Sequence, residues 1–485
     1  MFANQVGQNT TNPSLCIKCK VNTGRIVVRH AVYCKECFPA LLGSKVKRSL
    51  DSHINTKSET SRKKSLKASG NLLIGFSGGL GSTVLLDLIS KIYLSSRTEI
   101  ESEGNKQRGG KDHPRNEPVW KEASVCYVEI SAGFPGMKDR TDKIRLLVEE
   151  KYPALQLIPL RLENAFDRTW WDKVGRNVTS DATADVTSED LFLSTISDDF
   201  TPDPIHKLRT YISALPTHTA IASATRILTR LLLLHTARFT QSSHLLLGTS
   251  LTSLSITLIS SISQGGGFSV REEAQEEWNP GSSGAIRLVR PLQEITMKEC
   301  SMWAWWNDLQ VIGKEAYPGS KLGIGALTKD FIVGLERDYP STVSTIARTC
   351  AKLAPKVSAG GICVLCERPL QPGVQEWKSR ISIRATTESP VDPPSLLQSL
   401  TPYLCYSCHT TLTSRSSKAV SNSASTSLPL PMWTSAHLLD YSSSTTDSID
   451  VEIQEDVKEA GADVWLTRKV GADEMKKATG DFLLE

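Results

Sequence analysis

The stretch Gly75-Phe76-Ser77-Gly78-Gly79-Leu80-Gly81-Ser82-Thr83, called the glycine turn below, joins two regular patterns in the sequence. Before it, the apolar run 71–76 is typical of a buried parallel strand, and after it residues 82–93 carry an apolar helical stripe. Glycines between a strand and a helix let backbone N–H groups approach an anion closely. The stretch matches neither the Walker loop nor the dinucleotide-binding pattern. A tight connection that binds nothing is an equally good interpretation of the glycines alone.

Strand and helix patterns alternate after the glycine turn. Further strands are predicted at 123–130, 155–160, 244–248 and 288–292, and helices at 138–152, 225–239, 251–262 and in a segment through Trp303. Regular alternation of this kind predicts an α/β fold with a doubly wound parallel sheet. Polar inserts interrupt the pattern near 95–118 and 172–204, and we expect the second insert to be mobile.

Eight of the 11 cysteines form four Cys-x-x-Cys pairs, two near each end of the chain. Two residues between cysteines allow both thiolates to face one ion, and two such pairs complete a tetrahedral four-sulfur site. A reducing compartment argues against disulfides, and a redox pair is a weaker alternative. We therefore expect two zinc ions. The predicted ligands are Cys16, Cys19, Cys34, Cys37, Cys363, Cys366, Cys405 and Cys408.

Three cysteines are left over, namely Cys126, Cys300 and Cys350. Cys126 lies in the apolar run 125–128, where a small buried hydrophobe is a better interpretation than a nucleophile.

The charge balance excludes two classes of protein. The 485 residues include 56 Lys and Arg against 52 Asp and Glu, a formal net charge of +4, so the chain is neither uniformly basic nor strongly acidic. Contacts to nucleic acid must therefore come from local patches such as the basic segment 45–67. A solvated linker and a phosphate-binding arm are equally good interpretations of that segment. The predicted phosphate contacts are Lys45, Lys47, Arg48, Arg62, Lys63 and Lys64.

These patterns divide the chain into six segments. They are an N-terminal zinc knuckle (1–43), a basic linker (44–69), the α/β domain (70–352), a C-terminal zinc knuckle (353–412), a partly disordered Ser/Thr-rich segment (413–470) and a C-terminal helix (471–485). The polar N-terminus lacks the apolar core of a signal peptide, and no stretch is apolar enough to span a bilayer. We expect a soluble cytoplasmic protein.

The Ser-Gly-Gly-x-x-Ser sequence after the first strand resembles the PP-loop of the N-type ATP pyrophosphatases (adenine nucleotide alpha-hydrolase-like fold), which bind ATP pyrophosphate there and adenylate a carbonyl. The flanking four-cysteine groups narrow the resemblance to eukaryotic tRNA thiolation proteins. The order of elements is similar to that of the cytoplasmic tRNA 2-thiolation protein 2 family, the partner subunit of the wobble-uridine thiolase. The further matching stretches are Leu246-Leu247-Gly248-Thr249-Ser250, Gln264-Gly265-Gly266-Gly267-Phe268-Ser269, Val289-Arg290-Pro291-Leu292-Gln293-Glu294-Ile295 and Asp481-Phe482-Leu483-Leu484-Glu485.

The chain departs from the active pattern of these relatives. Active members usually carry Lys-Asp before the second Ser of the loop, where this chain has Leu80 and Gly81. They carry Gly-x-Asn-x-x-Asp after the fourth strand, where residues 248–252 contain no acid or amide. They also offer mid-domain cysteines for sulfur or an iron–sulfur cluster. Loss of these groups removes ligands for magnesium and phosphates. We expect no catalytic residue, and ATP binding at Ser77, Gly78, Gly79, Ser82 and Thr83 is in doubt.

The resemblance implies a non-catalytic or weakly catalytic subunit of the tRNA 2-thiolation complex, in a heterodimer with a homologous catalytic thiolase. The implied substrates are the wobble uridines of the tRNAs for lysine, glutamine and glutamate, with sulfur from a thiocarboxylated ubiquitin-related modifier. Two alternatives stay open at this point. In the first alternative, the chain is itself an ATP-dependent thiolase. In the second, it is a zinc scaffold for modifier transfer to proteins (urmylation) and is unrelated to tRNA.

Overall fold

The computed structural model describes residues 15–54, 70–94, 119–175, 181–187, 190–195, 203–279, 284–313, 316–353, 358–374, 399–414 and 427–444. The strands are β1 Ile26–Val28, β2 Ala31–Tyr33, β3 Asn71–Gly75, β4 Ala123–Glu129, β5 Gln156–Arg161, β6 Ala182–Asp185, β7 Leu193–Thr195, β8 Ser242–Leu247, β9 Glu276–Trp278, β10 Ile286–Val289 and β11 Ser427–Pro429. The α-helices are α1 Phe38–Ile54, α2 Leu80–Ile89, α3 Thr141–Lys151, α4 Arg168–Lys173, α5 Pro204–Ala214, α6 His218–Phe239, α7 Leu251–Ser263, α8 Val270–Ala274, α9 Met297–Trp306, α10 Ile324–Asp338, α11 Pro340–Lys352, α12 Tyr406–Thr413 and α13 Met432–Ser444.

The central sheet has six strands in the order β5-β4-β3-β8-β10-β9. Its first five strands are parallel, and β9 pairs antiparallel with β10. From β3 the chain winds outward to β4 and β5, and it then returns to the other side of β3 as β8. This order confirms the predicted α/β, doubly wound fold. In such sheets ligands bind outside the carboxyl ends of the strands where the order reverses, which here is between β3 and β8.

Side-chain caps set where three of the helices around this sheet begin. The Thr217 hydroxyl accepts from Ala220 N before α6, and the Ser250 hydroxyl accepts from Ser253 N before α7. Thr296 opens α9 with a capping box. Such caps satisfy N–H groups that the first helical turn leaves without partners. The cap at Ser250 places the start of α7 four residues after β8, at the carboxyl edge of the sheet.

The N-terminal four-cysteine group is continuous with the main core through α1. Phe38, Leu42, Val46 and Leu50 are fully buried and belong to the same apolar cluster as β3 and α2. Residues 44–54 of the predicted basic linker are therefore helical and packed. The apolar i, i+4 spacing of Val46, Leu50 and Ile54 outweighs the basic charges between them.

A second sheet of three antiparallel strands, β11-β6-β7, lies where two polar segments were expected to be mobile or disordered. The insert 172–204 contributes β6 and β7, and the Ser/Thr-rich segment contributes β11 and α13. A few large apolar side chains account for the difference. Leu428 and Trp433 are fully buried, and the Trp433 ring lies 5.5 Å from that of Trp171. The insert 95–118 and the C-terminal helix 471–485 fall outside the described residues.

The chain divides into two compact units, Met1–His437 and Leu438–Glu485. All the contacts described below belong to the first unit. Within the described residues, no helix combines the length and the apolar character that crossing a membrane requires.

Candidate functional site

The eight paired cysteines form two compact groups. Within each group, all four Sγ atoms lie within 4.8 Å of one another. The Sγ atoms of Cys19 and Cys34 are 3.8 Å apart, as are those of Cys366 and Cys405. A tetrahedral zinc ion with Zn–S bonds of about 2.3 Å has sulfur–sulfur edges of about 3.8 Å. Donor type, number and spacing in both groups therefore fit a structural zinc ion.

Both groups use the same backbone device. In each group, the Cys-x-x-Cys pair that comes earlier in the chain is followed by a residue with a left-handed backbone conformation. The N–H of that residue donates to the carbonyl of the cysteine that begins the pair. These bonds are Lys20 N to Cys16 O (2.8 Å, φ 57°) and Glu367 N to Cys363 O (2.7 Å, φ 53°). The second pair of each group leads directly into a helix, α1 or α12. Helix N-termini favour thiolates, so both arrangements favour metal-binding sulfur.

The pKa values in the first group are spread apart. Burial opposes ionisation of Cys16, but backbone N–H groups of Cys19, Cys34 and Lys18 outweigh burial and lower its pKa to about 6. Burial and the neighbouring sulfur atoms raise the pKa of Cys37 to about 12. In a group of four close sulfurs each thiolate makes the next one harder to form. A bound divalent cation would supply the charge that allows all four to ionise.

Glu367, the residue after Cys366, ties the C-terminal group to the sheet domain. Its carboxylate accepts from Trp278 Nε1 (2.8 Å) and lies 2.8 Å from His437 Nε2 and 3.5 Å from His235 Nε2. Burial alone would raise the pKa of Glu367, but the two histidines hold it well below its usual range. The C-terminal group is thus fixed to β9, α6 and α13.

Gly265 makes the close docking of the C-terminal group possible. It has a φ of +80°, and a Cβ placed there would lie 2.1 Å from the ring of Tyr406, which lies between Cys405 and Cys408. At Gly266 a Cβ would lie 2.4 Å from Ser261 Oγ. The glycine run 265–267 therefore serves packing at its first two positions.

The glycine turn is closed by its own hydroxyl groups. Ser82 Oγ accepts from Ser77 N (3.2 Å) and donates to Gly79 O (2.9 Å), and Thr83 Oγ1 also donates to Gly79 O (3.1 Å). Gly78 has a φ of +71°, which is the left-handed region that favours glycine. The turn keeps the strand–turn–helix geometry of a phosphate-binding loop, and α2 begins at Leu80.

Gly81 and Gly248 bring the loops after β3 and β8 into direct backbone contact. A Cβ on Gly81 would lie 2.1 Å from the carbonyl oxygen of Gly248, and a Cβ on Gly248 would lie 2.5 Å from the backbone of Gly81. The backbone of Gly248 therefore occupies the space that a side chain at position 81 needs.

Ile312 and Gly313 lie directly against the same turn. Gly313 N donates to Gly78 O (2.9 Å), and Arg140 Nη1 donates to Gly313 O (2.6 Å). Gly78 and Gly79 are buried as a result. Of the five predicted nucleotide-binding residues, four are buried and Ser77 is partly buried.

The predicted phosphate contacts divide into three kinds. Lys45 is buried, its Nζ is 2.5 Å from Glu299 Oε1, and it also donates to Glu294 O (3.2 Å). Its assignment to RNA was wrong, because its charge is already neutralised inside the fold. Lys47 and Arg48 are exposed on the solvent face of α1. Arg62, Lys63 and Lys64 lie outside the described residues.

The three remaining cysteines are buried thiols. Cys126 is fully buried, which confirms its prediction as a small hydrophobe. Burial raises the pKa of Cys126 and of Cys350, and it raises that of Cys300 to about 12. None of the three has the lowered pKa that a reactive thiolate requires.

Four arginines near the carboxyl end of β8 were not singled out by the sequence analysis. They are Arg226, Arg230, Arg290 and Arg368, and they line one cavity. Arg226 and Arg230 are four residues apart on α6, which is a local signal of a shared face. The other two come from distant segments, and their position depends on tertiary structure.

The chain is similar to known proteins over part of its sequence or over most of it. Residues 323–410 match the family model described as cytoplasmic tRNA 2-thiolation protein 2. Proteins of that name include one from Danio rerio (32% identity, covering 31% of this chain and 30% of that protein) and one from Bos taurus (36%, covering 28% of each). These two matches span about three tenths of each relative. A protein of the same name from Debaryomyces hansenii is 23% identical over 82% of this chain and 88% of its own length.

A solved structure is also similar to the chain. The U34-tRNA thiolase NcsA from Methanococcus maripaludis, solved with its [4Fe-4S] cluster, superposes with a TM-score of 0.44 and 17% identity. The superposition covers 71% of this chain and 89% of that one.

Proposed function

We propose that the chain, which is similar to cytoplasmic tRNA 2-thiolation protein 2 in the matches above, is a member of that family and acts in 2-thiolation of the tRNA wobble uridine as a non-catalytic or weakly catalytic subunit. Its partner is a homologous ATP-dependent thiolase. The substrates are the tRNAs for lysine, glutamine and glutamate, and the sulfur comes from a thiocarboxylated ubiquitin-related modifier.

The contact between Gly81 and Gly248 carries the proposal of a non-catalytic role. Magnesium and a triphosphate need oxygen ligands and cationic groups around the phosphates. A carboxylate side chain at position 81 would collide with the Gly248 carbonyl, because its Cβ atom would lie 2.1 Å from the carbonyl oxygen. A flexible side chain could move aside, but the obstacle here is backbone between a sheet strand and a capped helix. The loop therefore lacks both the acid and the space for it.

The buried thiols support the same conclusion. Sulfur transfer requires a nucleophilic thiolate or a cluster held by cysteines. Outside the two four-cysteine groups, each cysteine of the chain is buried with a raised pKa. In this proposal the partner or the modifier carries the sulfur that is transferred.

We propose that each four-cysteine group holds one zinc ion with a structural role. The ligands are Cys16, Cys19, Cys34 and Cys37 at the N-terminus and Cys363, Cys366, Cys405 and Cys408 at the C-terminus. Because all four positions of each tetrahedron are taken by protein sulfur, neither ion has an open position for catalysis.

For tRNA binding we retain Lys47 and Arg48, with Arg62, Lys63 and Lys64, as phosphate contacts. Lys47 and Arg48 are both exposed on α1, the helix that follows the N-terminal four-cysteine group. Their contribution to affinity falls as salt rises, because each phosphate contact releases counterions.

The proposal is tested by comparing the chain alone with the chain co-expressed with a homologue that carries the intact Ser-Gly-Gly-Lys-Asp-Ser loop. We expect the pair to co-purify, and we expect ATP–pyrophosphate exchange and sulfur incorporation into a tRNA transcript only when the homologue is present. Ser82→Ala in this chain should leave exchange by the pair unchanged. Exchange by the chain alone that is abolished by Ser82→Ala would make this chain an enzyme. Modifier binding without any tRNA would favour the scaffold role.

A further inference from the structure

A cavity of about 190 Å³ lies beside the carboxyl end of β8, between α6, α7 and the C-terminal four-cysteine group. Its wall carries the four arginines named above and hydroxyl groups that include Thr249, Thr257 and Ser407. It is separate from the glycine turn. Parallel α/β sheets bind ligands at this edge, so the position itself is one where a ligand is expected.

The guanidinium groups here outnumber the carboxylates that face them. Glu276 pairs with Arg230 through two hydrogen bonds and lies 3.6 Å from Arg368, while Glu273 lies 2.6 Å from Arg368 and 3.5 Å from Arg226. Three of the four guanidinium groups thus share two buried carboxylates. When loaded with a divalent ion, the nearby tetrathiolate carries about two negative charges. An anion in this cavity is therefore favoured by incompletely paired guanidinium groups rather than by net charge.

Three of the arginines are incompletely paired, and one of them carries a buried N–H group without an acceptor. Arg290 is 6% exposed and donates to Ala274 O (3.2 Å), and no carboxylate of the described residues lies within ion-pair distance of it. Arg368 Nε is buried and has no acceptor among the described residues. Arg226 is held by one contact to Glu273 at 3.5 Å, and its side chain is 41% exposed at the mouth of the cavity. Buried N–H groups without acceptors are costly, and an anion that accepts from them removes that cost.

We propose that this cavity binds a phosphate group. Clustered guanidinium groups with hydroxyl donors are the chemistry that recognises phosphate oxygens. Pockets that bury a drug-sized molecule begin at about 300 Å³, so this cavity has room for one phosphate group but not for a whole nucleotide. The remainder of the ligand then lies outside, past Arg226. A free phosphate and a phosphodiester of RNA offer the same chemistry, and the experiment separates them.

The test titrates the metal-loaded full chain with inorganic phosphate, uridine monophosphate and a short RNA hairpin by calorimetry. We expect Arg226→Gln to weaken binding about tenfold or more, because a charge-assisted contact is lost. Arg238→Gln is the matched control, since it makes the same change on the same helix 12 residues away, about 18 Å along the axis, and it should change affinity less than about twofold. Metal content and circular dichroism check that both variants fold.

The titrations also identify the source of the phosphate. An RNA hairpin that binds more than about tenfold tighter than inorganic phosphate, and is displaced by it, identifies a phosphodiester. Equal affinities identify free phosphate. The proposal is overturned if no probe binds the wild-type chain, or if Arg226→Gln binds as wild type does. Binding that is lost in Ser82→Ala and kept in Arg226→Gln places the phosphate at the glycine turn and also overturns it. None of these outcomes depends on the proposed role in thiolation.

Discussion

The contact between the loops after β3 and β8 predicts that Gly81→Ala destabilises the protein. Gly81 lies in the first turn of α2, where its backbone is helical, so alanine alone would be favourable there by about 1 kcal/mol. The new Cβ would lie 2.1 Å from Gly248 O, whereas an ordinary carbon–oxygen contact is about 3.5 Å. The two loops must therefore separate by more than about 1 Å.

The sheet resists that separation. β3 and β8 are paired in register up to Gly75 and Leu247, the latter adjacent to Gly248, and α7 is capped at Ser250. Forced overpacking of a well-packed interior costs about 1–3 kcal/mol, and the upper part of this range applies because the obstacle is backbone. After the gain in helix propensity, the expected net loss is about 2 kcal/mol. For a chain of this size that is a fall in Tm of about 2 °C.

The assay is thermal unfolding of the metal-loaded chain, with Gly334→Ala as the control. Gly334 is also a helical glycine, in α10, but a Cβ there meets no atom within 4 Å. Gly334→Ala should therefore stabilise the protein by up to about 1 kcal/mol. Equal Tm changes in the two variants would refute the backbone contact and with it the argument that no carboxylate fits at position 81. Gly81→Asp should likewise fail to create ATP–pyrophosphate exchange.

Three further predictions follow from the metal groups, the basic residues and a buried histidine. Metal analysis should find two zinc ions per chain, and Cys34→Ser or Cys405→Ser should each lose one; one or no ion in the wild-type chain would contradict the assignment. Lys47→Ala should reduce the slope of log affinity for tRNA against log salt by about one. Lys45→Met should leave that slope unchanged. It should lower the free energy of unfolding by about 3 kcal/mol, because it leaves Glu299 buried without its partner. A reduced slope in Lys45→Met would show that Lys45 contacts RNA. Burial lowers the pKa of His244 to about 4 from its usual 6.5, so the histidine is neutral in the fold and its charging disfavours the folded state. The free energy of unfolding should therefore fall as pH drops from 6.5 to 4, with about 3 kcal/mol of the loss due to this histidine. Urea unfolding of His244→Gln should show a shallower fall over the same pH range. Identical pH profiles for the variant and the wild type would contradict this role of His244.

Local patterns were sufficient to predict the sheet and the two four-cysteine groups. Each of the five predicted strands overlaps a strand of the central sheet, because an apolar run before a helical stripe reports burial on both faces. The eight cysteines were identified by spacing alone, since two residues between thiols are enough to form half of a tetrahedral site. In both cases the physical cause lies within a few residues along the chain.

The sequence by itself therefore determined the fold class and the composition of each four-cysteine group, because both follow from interactions between near neighbours in the chain. Only the tertiary structure decided that Lys45 pairs with Glu299, that Gly81 touches Gly248, and that Arg290 and Arg368 share a cavity with α6. The residues in each of these arrangements are between 60 and 254 positions apart in the sequence. Whether a charge is neutralised or a glycine is obstructed depends on what another strand or helix brings within a few ångströms, and no local pattern records that.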